Sequence, residues 1–238
     1  MTVTISSQAQ DGLRFSRRQA VVLEHALQLL ADGGERALTT GRLARAACCS
    51  KESLYKWFGN RAGIIASMIA YQSTKVRTFP FGGRRLSARA LFDHLLVFAN
   101  DLLEVLEGNN SLALNRLAIA QSADGSSEFS SVLLEQGRSQ VEGRAKSLLD
   151  AGRVSGLLSF HSVDEAFHVL YGLVVSDRHV QALLGAVSKR DRRKVAKLAV
   201  RLFLSLYGSD RLFQTLSEDE YGTFDGKSVC SRQVGYSQ

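Results

Sequence analysis

The sequence predicts an all-α fold, and three observations support that prediction. Proline occurs only once in 238 residues, at Pro80, so long helices can run without interruption. Apolar residues recur at helical spacing, as in the stripe Ala20, Leu23, Leu27 and Leu30. No series of alternating apolar and polar runs ends in Asn-Gly or Asp-Gly turns, the pattern typical of β-hairpins. We therefore expect about nine helices from this periodicity.

The N-terminal segment 1–15 is polar and is expected to be a flexible arm. It has no apolar core of the kind found in signal peptides. Ser16 is then suited to cap a first helix over 16–31. Gly33 and Gly34 are expected to end this helix, since glycine readily adopts the left-handed conformation of a helix stop.

Two short helices separated by a tight turn follow. Thr40 begins the first of them, which ends near Ala47, and Ser50 is the expected N-cap of the second, which Gly59 ends. This arrangement predicts a helix-turn-helix unit. A fourth helix, over 62–76, is expected to lead into the rest of the chain and to bridge the two domains.

A cluster of helix-breaking residues, Pro80, Gly82 and Gly83, predicts a domain boundary. It separates an N-terminal three-helix domain with its following helix, 16–77, from a larger helical domain, 86–207. The sequence after 208 loses helical periodicity and predicts a loosely ordered tail, 208–238. The helices expected in the larger domain are 86–107, 111–123, 126–151, 163–185 and 188–207.

The second helix of the helix-turn-helix unit has the two faces that DNA recognition requires. Leu54 and Phe58 can pack against the preceding helices, which leaves the opposite face exposed. A helix of this width fits the major groove, where base edges present distinguishable patterns of donors and acceptors. The polar residues expected to reach base edges or phosphates from this helix are Lys51, Glu52, Ser53, Tyr55 and Lys56.

The helix ends add candidate phosphate contacts, because free backbone N–H groups at helix starts bind anions. Thr40 starts the second helix and Arg61 starts the fourth. Arg17 and Arg18 lie at the start of the first helix, where they can reach the flanking DNA backbone. The net charge of +7 also fits a polyanionic partner.

The run from Leu38 to Ile64 resembles the signature of the tetracycline-repressor (TetR/AcrR) family. The signature positions are Thr40, the pair Leu43-Ala44, Ser50, the pair Leu54-Tyr55, the pair Trp57-Phe58, Arg61 and Ile64. One departure is that the family usually has Gly-Val in the turn, where this chain has Cys48-Cys49. Glycine suits a positive φ there, and cysteine does not. The segment 171–185 also resembles the C-terminal regions of an AefR-like branch of the family.

The resemblance implies a DNA-binding transcriptional regulator, by family default a repressor. It implies that Thr40 and Tyr55 bind phosphate, that Lys51, Glu52, Ser53 and Lys56 face base edges or nearby phosphate, and that Arg61 clamps the backbone. It also implies a homodimer that reads a palindromic operator and is released by a small effector. No cofactor and no metal are expected.

Two helices of the larger domain carry apolar stripes that can form a four-helix dimer interface or pack into the domain's own core. The expected interface residues are Phe167, Leu170, Val174, Val195, Leu198, Leu202 and Leu206. The resemblance also implies an effector pocket, for which a mostly apolar lining favours a small lipophilic ligand. The candidate lining residues are Phe92, Leu95, Leu96, Phe98, Leu117, Phe129, Leu133, His168 and Tyr171.

Other classes of function remain as alternatives. An all-helical enzyme is disfavoured, because the sequence has no Gly-rich phosphate loop, no His-Glu-x-x-His motif and no nucleophile elbow. A redox-responsive regulator is the second alternative, in which oxidation of Cys48 or Cys49 in the turn weakens DNA binding. No apolar stretch approaches the roughly 20 residues that span a bilayer. The expected location is the cytoplasm, with no membrane partner.

Overall fold

The computed structural model describes residues 15–77, 85–123, 125, 128–186, 188 and 190–216. Within these ranges the regular secondary structure is helical, and the one extended pairing is an isolated antiparallel bridge between Leu158 and Gly208. The predicted all-α fold is confirmed. None of the described helices is long and apolar enough to cross a membrane. The breaker cluster at Pro80, Gly82 and Gly83 lies outside the described residues.

The described residues form the following helices in chain order. They are α1 (Arg17–Ala37), α2 (Thr40–Ala46), α3 (Lys51–Phe58), α4 (Arg61–Ser73), α5 (Ala88–Glu107), α6 (Asn109–Ala123), α7 (Glu128–Val132), a π-helical segment (Leu133–Arg138), α8 (Ser139–Val154), α9 (Val163–Val175), α10 (Arg178–Leu183), α11 (Arg192–Tyr207) and α12 (Asp210–Thr215).

The chain forms two compact units, of which the first combines residues 1–75 with 108–139. Its core contains fully buried side chains from α1, α3 and α4, among them Leu23, Leu54 and Met68. Leu114 of α6 and Phe129 of α7 belong to the same cluster. These two helices therefore complete the core on which the helix-turn-helix unit rests.

The second unit combines residues 76–107 with 140–238. Helix α11 packs against α5 and α9, and Phe167 and Phe203 are fully buried in the cluster that they form. The segment that follows α4 is fixed within this unit. The Arg77 guanidinium donates two hydrogen bonds of 2.8 Å to the buried carboxylate of Asp101, and the Arg144 guanidinium donates to the Val76 carbonyl at 3.2 Å.

The division into units differs from the linear division that the sequence predicts. The segment 109–138 is expected in the larger domain, but its buried side chains Leu114, Leu117, Ala118 and Phe129 lie in the first core instead. The reason is the position of the apolar residues on α6: Leu114, Leu117 and Ala118 are buried there, and α6 packs along α1. The apolar residues of α6 are spread around the helix, so helical periodicity does not show which of them are buried or in which core.

Several predicted helices are divided or extended. The first helix is interrupted at Gly34, whose φ of 63° is left-handed as predicted for a helix stop, and a short helical segment continues beyond this kink to Ala37. The segment 126–151 contains the π-helical turn, and 163–185 is broken at Ser176, which has a φ of 46°. The predicted loose tail is wrong for its first part, because Asp210–Thr215 is helical and Leu212 is fully buried.

Candidate nucleic-acid interface

Helix α3 is fixed at both ends and along one face. The Ser50 hydroxyl caps its N-terminus by accepting a hydrogen bond from the Ser53 N–H at 3.1 Å, as the sequence predicts. Leu54 and Phe58 are buried in the first core, and Gly59 ends the helix with a φ of 79°. The orientation of α3 is therefore set by packing, and its opposite face stays in solvent.

That exposed face carries most of the predicted base-reading side chains. Lys51, Glu52 and Lys56 are exposed, and Tyr55 is 47% exposed. Ser53 is half-buried, with its hydroxyl 3.2 Å from that of Ser50. The pKa of the Glu52 carboxyl is lowered by a hydrogen bond from its own backbone N–H and by one from the Ser50 side chain. The face thus offers two ammonium donors, a carboxylate acceptor and a phenol hydroxyl.

A groove of about 760 Å³ runs beside the turn between α2 and α3. Its cationic lining residues are Arg45 and Lys51, and Gly41 and Cys48 line it as well. The sequence reasoning did not single out Arg45. The sequence feature that could have identified Arg45 is its position in the last turn of α2, the helix before the recognition helix. From there it can reach a phosphate on the same side as Lys51.

Helix α2 begins at Thr40, which is half-buried, but the capping side chain belongs to its neighbour. The Thr39 hydroxyl accepts the hydrogen bond from the Arg42 N–H at 3.2 Å. Thr39 is exposed, whereas Thr40 occupies the first helical position. The backbone N–H groups at this helix start retain the geometry that favours an anion.

The turn itself is held by an arginine that the sequence assigns to DNA. The Arg18 guanidinium donates hydrogen bonds to the Ala47 carbonyl at 3.0 Å and to the Cys48 carbonyl at 2.7 Å. Cys48 has a φ of 50°, the left-handed conformation for which the family uses glycine. Arg18 therefore secures a strained turn. Both Arg17 and Arg18 are exposed at the start of α1.

Arg61 likewise makes bonds within the first unit. Its guanidinium donates to the Leu38 carbonyl at 2.7 Å and to the Glu35 carboxylate at 3.1 Å. The Gln121 amide donates to the same Glu35 oxygen at 3.1 Å. Arg61 is still exposed, so a phosphate that approaches it would meet a guanidinium already fixed in place. A cleft of about 360 Å³ lies alongside, lined by Arg61, Gln121 and Phe129 among others.

The two cysteines of the turn differ in accessibility. Cys48 is exposed, whereas Cys49 is partly buried. Burial raises the pKa of the Cys49 thiol, and the opposing effect of the nearby Arg18 charge is smaller. The thiolate that the redox alternative requires is therefore disfavoured at Cys49. Among the residues that the structure describes, no cluster of three or more His, Cys, Asp or Glu side chains is placed to hold a metal ion.

The predicted dimer-interface residues fall into two groups. Phe167, Leu170 and Val174 are fully buried in the core of the second unit, because α9 turns this stripe towards α5 and α11. In contrast, Leu198 is 51% and Leu206 is 61% exposed on α11. The other two predicted positions, Val195 and Leu202, are partly buried.

The predicted pocket residues are also divided, because they belong to two different cores. The first core holds Leu117, Phe129 and Leu133. The second core holds Phe92, Leu95, Leu96, Phe98 and Tyr171. His168 lies on the surface of α9, with its Nδ1 atom 2.7 Å from the Asp164 carbonyl oxygen.

Comparison with known families and structures agrees with this geometry. Residues 22–68 match the model of bacterial regulatory proteins of the tetR family. Residues 93–209 match the model of the C-terminal domain of AefR-like transcriptional repressors, which extends the resemblance predicted for 171–185. No curated protein matches the chain at a significant level.

Solved structures give the same result. The chain is 53% identical to a TetR transcriptional regulator from Agrobacterium tumefaciens, with a TM-score of 0.75 over 85% of this chain and 100% of that one. A putative TetR-family regulator from Mesorhizobium loti shares the fold at 20% identity, with a TM-score of 0.64 over 83% of this chain and 100% of that one. A putative TetR-family regulator from Rhodococcus sp. also shares the fold at 21% identity, with a TM-score of 0.61 over 79% of this chain and 99% of that one.

The exposed and rigidly held α3, the family signature around it and the 53% identity over most of the chain agree with one another. The chain therefore belongs to the TetR family of transcription regulators, with a helix-turn-helix DNA-binding domain followed by a TetR-type helical C-terminal domain.

Proposed function

We propose that this regulator is a non-enzymatic repressor that binds a palindromic operator as a homodimer and is released by a small lipophilic effector. The observation that carries the proposal is the exposed face of α3. Its side chains include both donors and an acceptor, as direct reading of base edges requires. The match of residues 93–209 to a domain of transcriptional repressors supports repression over activation.

In this proposal α3 enters the major groove. Lys51 and Lys56 donate to guanine acceptors or phosphates, and Glu52 accepts from a cytosine amine. Tyr55 and Thr40 bind phosphate, and so do Arg17 and Arg61 at the edges of the site.

A dimer is needed because one helix-turn-helix unit covers only half of a palindrome, and two recognition helices must lie about 34–36 Å apart. The exposed leucines of α11 support an interface on that helix, since Leu198 and Leu206 present apolar surface to solvent in the single chain. The outward face of α9 is the second candidate surface. Val169 and Gly172 lie there, and a Cβ added at Gly172 would meet nothing within 4 Å.

The effector part of the proposal rests on the family. A ligand that prefers one conformation shifts the equilibrium only by its differential affinity for the two states. We propose that α4 is the element whose tilt changes the operator fit. A compound that saturates the protein without changing operator affinity would not be an effector of this mechanism.

The experiment that tests DNA recognition is selection of genomic fragments by the purified protein, followed by gel shifts at several salt concentrations. We expect a palindromic consensus whose affinity falls steeply as salt rises. Lys56→Ala and Tyr55→Ala are expected to reduce operator affinity about tenfold or more, since a good base or phosphate contact contributes on the order of 1–3 kcal/mol. Lys75→Ala removes an exposed lysine outside the helix-turn-helix unit and is the control. Equal binding of all DNA by the wild type would contradict the proposal.

The dimer is tested separately by sedimentation. Replacing Leu198 and Leu206 together by glutamate places two charges on the proposed interface, and we expect dissociation into monomers together with loss of operator binding. Val154→Glu is the matched control, because Val154 is an exposed apolar residue on α8 that the proposal does not use. An unchanged dimer in the double variant would exclude the α11 interface.

A further inference from the structure

The cleft of about 360 Å³ beside Arg61 is separate from the exposed face of α3. Every described residue that lines it belongs to the first unit, so the cleft is formed within one compact body. Its volume is within the range of about 300–1,000 Å³ that is typical of small-molecule sites. The lining comes from the start of α4, the end of α6 and α7, and consists of Asn60, Arg61, Ala62, Ile65, Gln121, Phe129 and Val132.

One side of the cleft is apolar. Ile65 and Phe129 are buried in the first core, and Val132 packs against that core. These three side chains line the cleft at the point where the core meets solvent. An apolar group seated against them would remove apolar surface from water, which is favourable. The wall therefore favours a ligand with an apolar body over a bare ion such as phosphate or acetate.

The polar side of the cleft offers mainly hydrogen-bond donors. The Arg61 guanidinium donates to the Leu38 carbonyl at 2.7 Å and to the Glu35 carboxylate at 3.1 Å, and its remaining N–H groups make no hydrogen bond within the described residues. The Asn60 side chain accepts the Gly63 N–H at 2.8 Å with its Oδ1 atom, which leaves its NH₂ group to donate. A ligand therefore meets these two side chains best with an acceptor.

The guanidinium is oriented before any ligand arrives. Arg61 and Gln121 lie on different helices, and both donate to the same Glu35 oxygen at 3.1 Å. Glu35 itself is not among the residues that line the cleft, and the described lining contains one cation and no carboxylate. A donor that is already held in place costs less ordering on binding than a free side chain. The cleft is thus prepared for an anionic group at its polar side.

We propose that this cleft binds a small monocarboxylate with an apolar body. The ligand carboxylate accepts hydrogen bonds from the Arg61 guanidinium and the Asn60 amide, because these groups donate and an ionised carboxylate can only accept. The apolar body lies against Ile65, Phe129 and Val132. The two halves of the lining, one apolar and one donating, therefore match the two halves of one molecule.

Occupation of the cleft would compete with operator binding, and this part of the inference rests on the proposed function. There Arg61 binds a DNA phosphate, and a carboxylate on the same guanidinium would neutralise its charge and occupy its donors. Each phosphate contact contributes about 0.9 to the slope of log affinity against log salt. Loss of one contact per protomer in a dimer lowers that slope by about 2. Release by this route does not require α4 to tilt.

Isothermal titration calorimetry of the full chain with 4-phenylbutyrate tests the site without DNA. The matched probes are 4-phenylbutyramide, which has nearly the same shape and no charge, and acetate, which has the charge and no apolar body. We expect 4-phenylbutyrate to bind about tenfold or more tightly than either, since hydrogen bonds to a charged group are roughly twice as strong as neutral ones.

A pair of substitutions at Ala62 tests whether the probe occupies this cleft. Ala62 lines the cleft and is exposed, so a larger side chain there does not enter the core. Ala62→Glu places a carboxylate beside the proposed ligand carboxylate, whereas Ala62→Gln is equal in size and uncharged. We expect the glutamate variant to bind 4-phenylbutyrate about tenfold or more weakly than the glutamine variant, because like charges in contact repel. The two variants should bind the amide probe equally.

Gel shifts with the selected operator fragment, at several salt concentrations, then compare the same proteins with and without 4-phenylbutyrate. We expect the ligand to lower the operator affinity of the wild type and of Ala62→Gln, and to reduce the salt slope of both by about 2. At the same ligand concentration, the operator affinity of Ala62→Glu should stay unchanged. Circular dichroism at rising temperature verifies that the three proteins are equally folded.

The outcomes separate the site from the function. Absence of saturable binding, equal affinity for the carboxylate and the amide, or equal affinity of the two Ala62 variants for 4-phenylbutyrate would each overturn the carboxylate site. Binding of 4-phenylbutyrate with unchanged operator affinity would overturn the competition. A wild type that selects no operator would instead refute the proposed function, whereas the calorimetry would still decide whether the site exists.

Discussion

Helices α3 and α11 both present cations to solvent, but they differ in what surrounds those cations. On α3, eight residues long, Lys51 and Lys56 share the exposed face with Glu52 and Tyr55. On α11, 16 residues long, the exposed Lys194 and Lys197 lie beside the exposed Leu198, and the helix contains no carboxylate. A face that combines cations with a carboxylate can discriminate between bases, whereas cations without one favour phosphate. The comparison teaches that net charge alone does not identify a recognition helix.

The two helices also differ in what holds them. Five buried side chains fix α11, including Phe203, which is fully buried, whereas two fix α3. We expect Phe203→Ala to lower the free energy of unfolding by about 3–5 kcal/mol, because it removes a large buried ring and leaves a cavity. Urea denaturation followed by circular dichroism measures this. Val154→Ala, at a 75% exposed position, is the control, and a loss of similar size there would contradict the assignment of Phe203 to the core.

Because only two buried side chains hold α3, the cap that the Ser50 hydroxyl provides is a larger share of what fixes this helix. Ser50→Ala removes the acceptor for the Ser53 N–H and is expected to cost about 1 kcal/mol of stability. Its effect on operator affinity should exceed that of Ser147→Ala, a substitution of an exposed serine on α8, because the first turn of α3 carries Lys51 and Glu52. Thermal unfolding and gel shift measure the two effects. Equal values for the two variants would mean that the cap does not order α3.

A substitution in the turn before α3 is expected to raise the free energy of unfolding instead of lowering it. Cys48 adopts a φ of 50°, which costs a residue with a Cβ roughly 1 kcal/mol or more. Cys48→Gly should raise the free energy of unfolding by roughly 0.5–1 kcal/mol, after allowance for the greater freedom of glycine in the unfolded chain. Cys48→Ala retains the strained conformation and should show no such gain. If alanine stabilises as much as glycine, the cause is the thiol and not the backbone.

The smallest expected effect is a pH dependence of the unit that contains α11. Burial lowers the pKa of His94 and of His179 below their ordinary value of 6.5. The Asp93 charge opposes this at His94, and the Leu106 carbonyl and the Glu107 charge oppose it at His179, but these effects are smaller. The folded state therefore favours the neutral rings. Their contribution to stability is complete above pH 6.5 and is lost as the pH falls below that value. Melting temperatures at pH 7.5 and 5.5 should differ more in the wild type than in a His94→Gln, His179→Gln double variant. An identical difference would show that other groups are responsible.

The sequence predicted the helix-turn-helix unit well because its signals are local. Ser16 and Ser50 cap helices as expected, and the left-handed position in the turn lies where the family uses glycine. Bonds between distant residues could not be predicted. Arg18 and Arg61 are basic residues beside a DNA-reading helix, yet both donate to carbonyl oxygens that are 23 to 30 positions away in the chain.

The larger domain was predicted less accurately, and burial explains why. The apolar stripe of α9 is equally consistent with a core and with an interface until its neighbours are known, and α5 and α11 cover it. The helix break at Ser176 could not be predicted, because the residue with the positive φ is a serine and not a glycine or proline. Helix α12 was missed because six residues are too few to establish a period, although Leu212 anchors it in the core.

The π-helical segment Leu133–Arg138 has a consequence for the insertions and deletions that this family can accept. It lies in the first unit, where it follows Phe129, which packs in the core, and contains Gly137, where an added Cβ would lie 3.3 Å from Ile69 of α4. Deleting one residue between these two positions would turn the later one by about 100°, so that Gly137 would no longer face α4. Homologues should therefore preserve the length between these two positions more strictly than the residues within it.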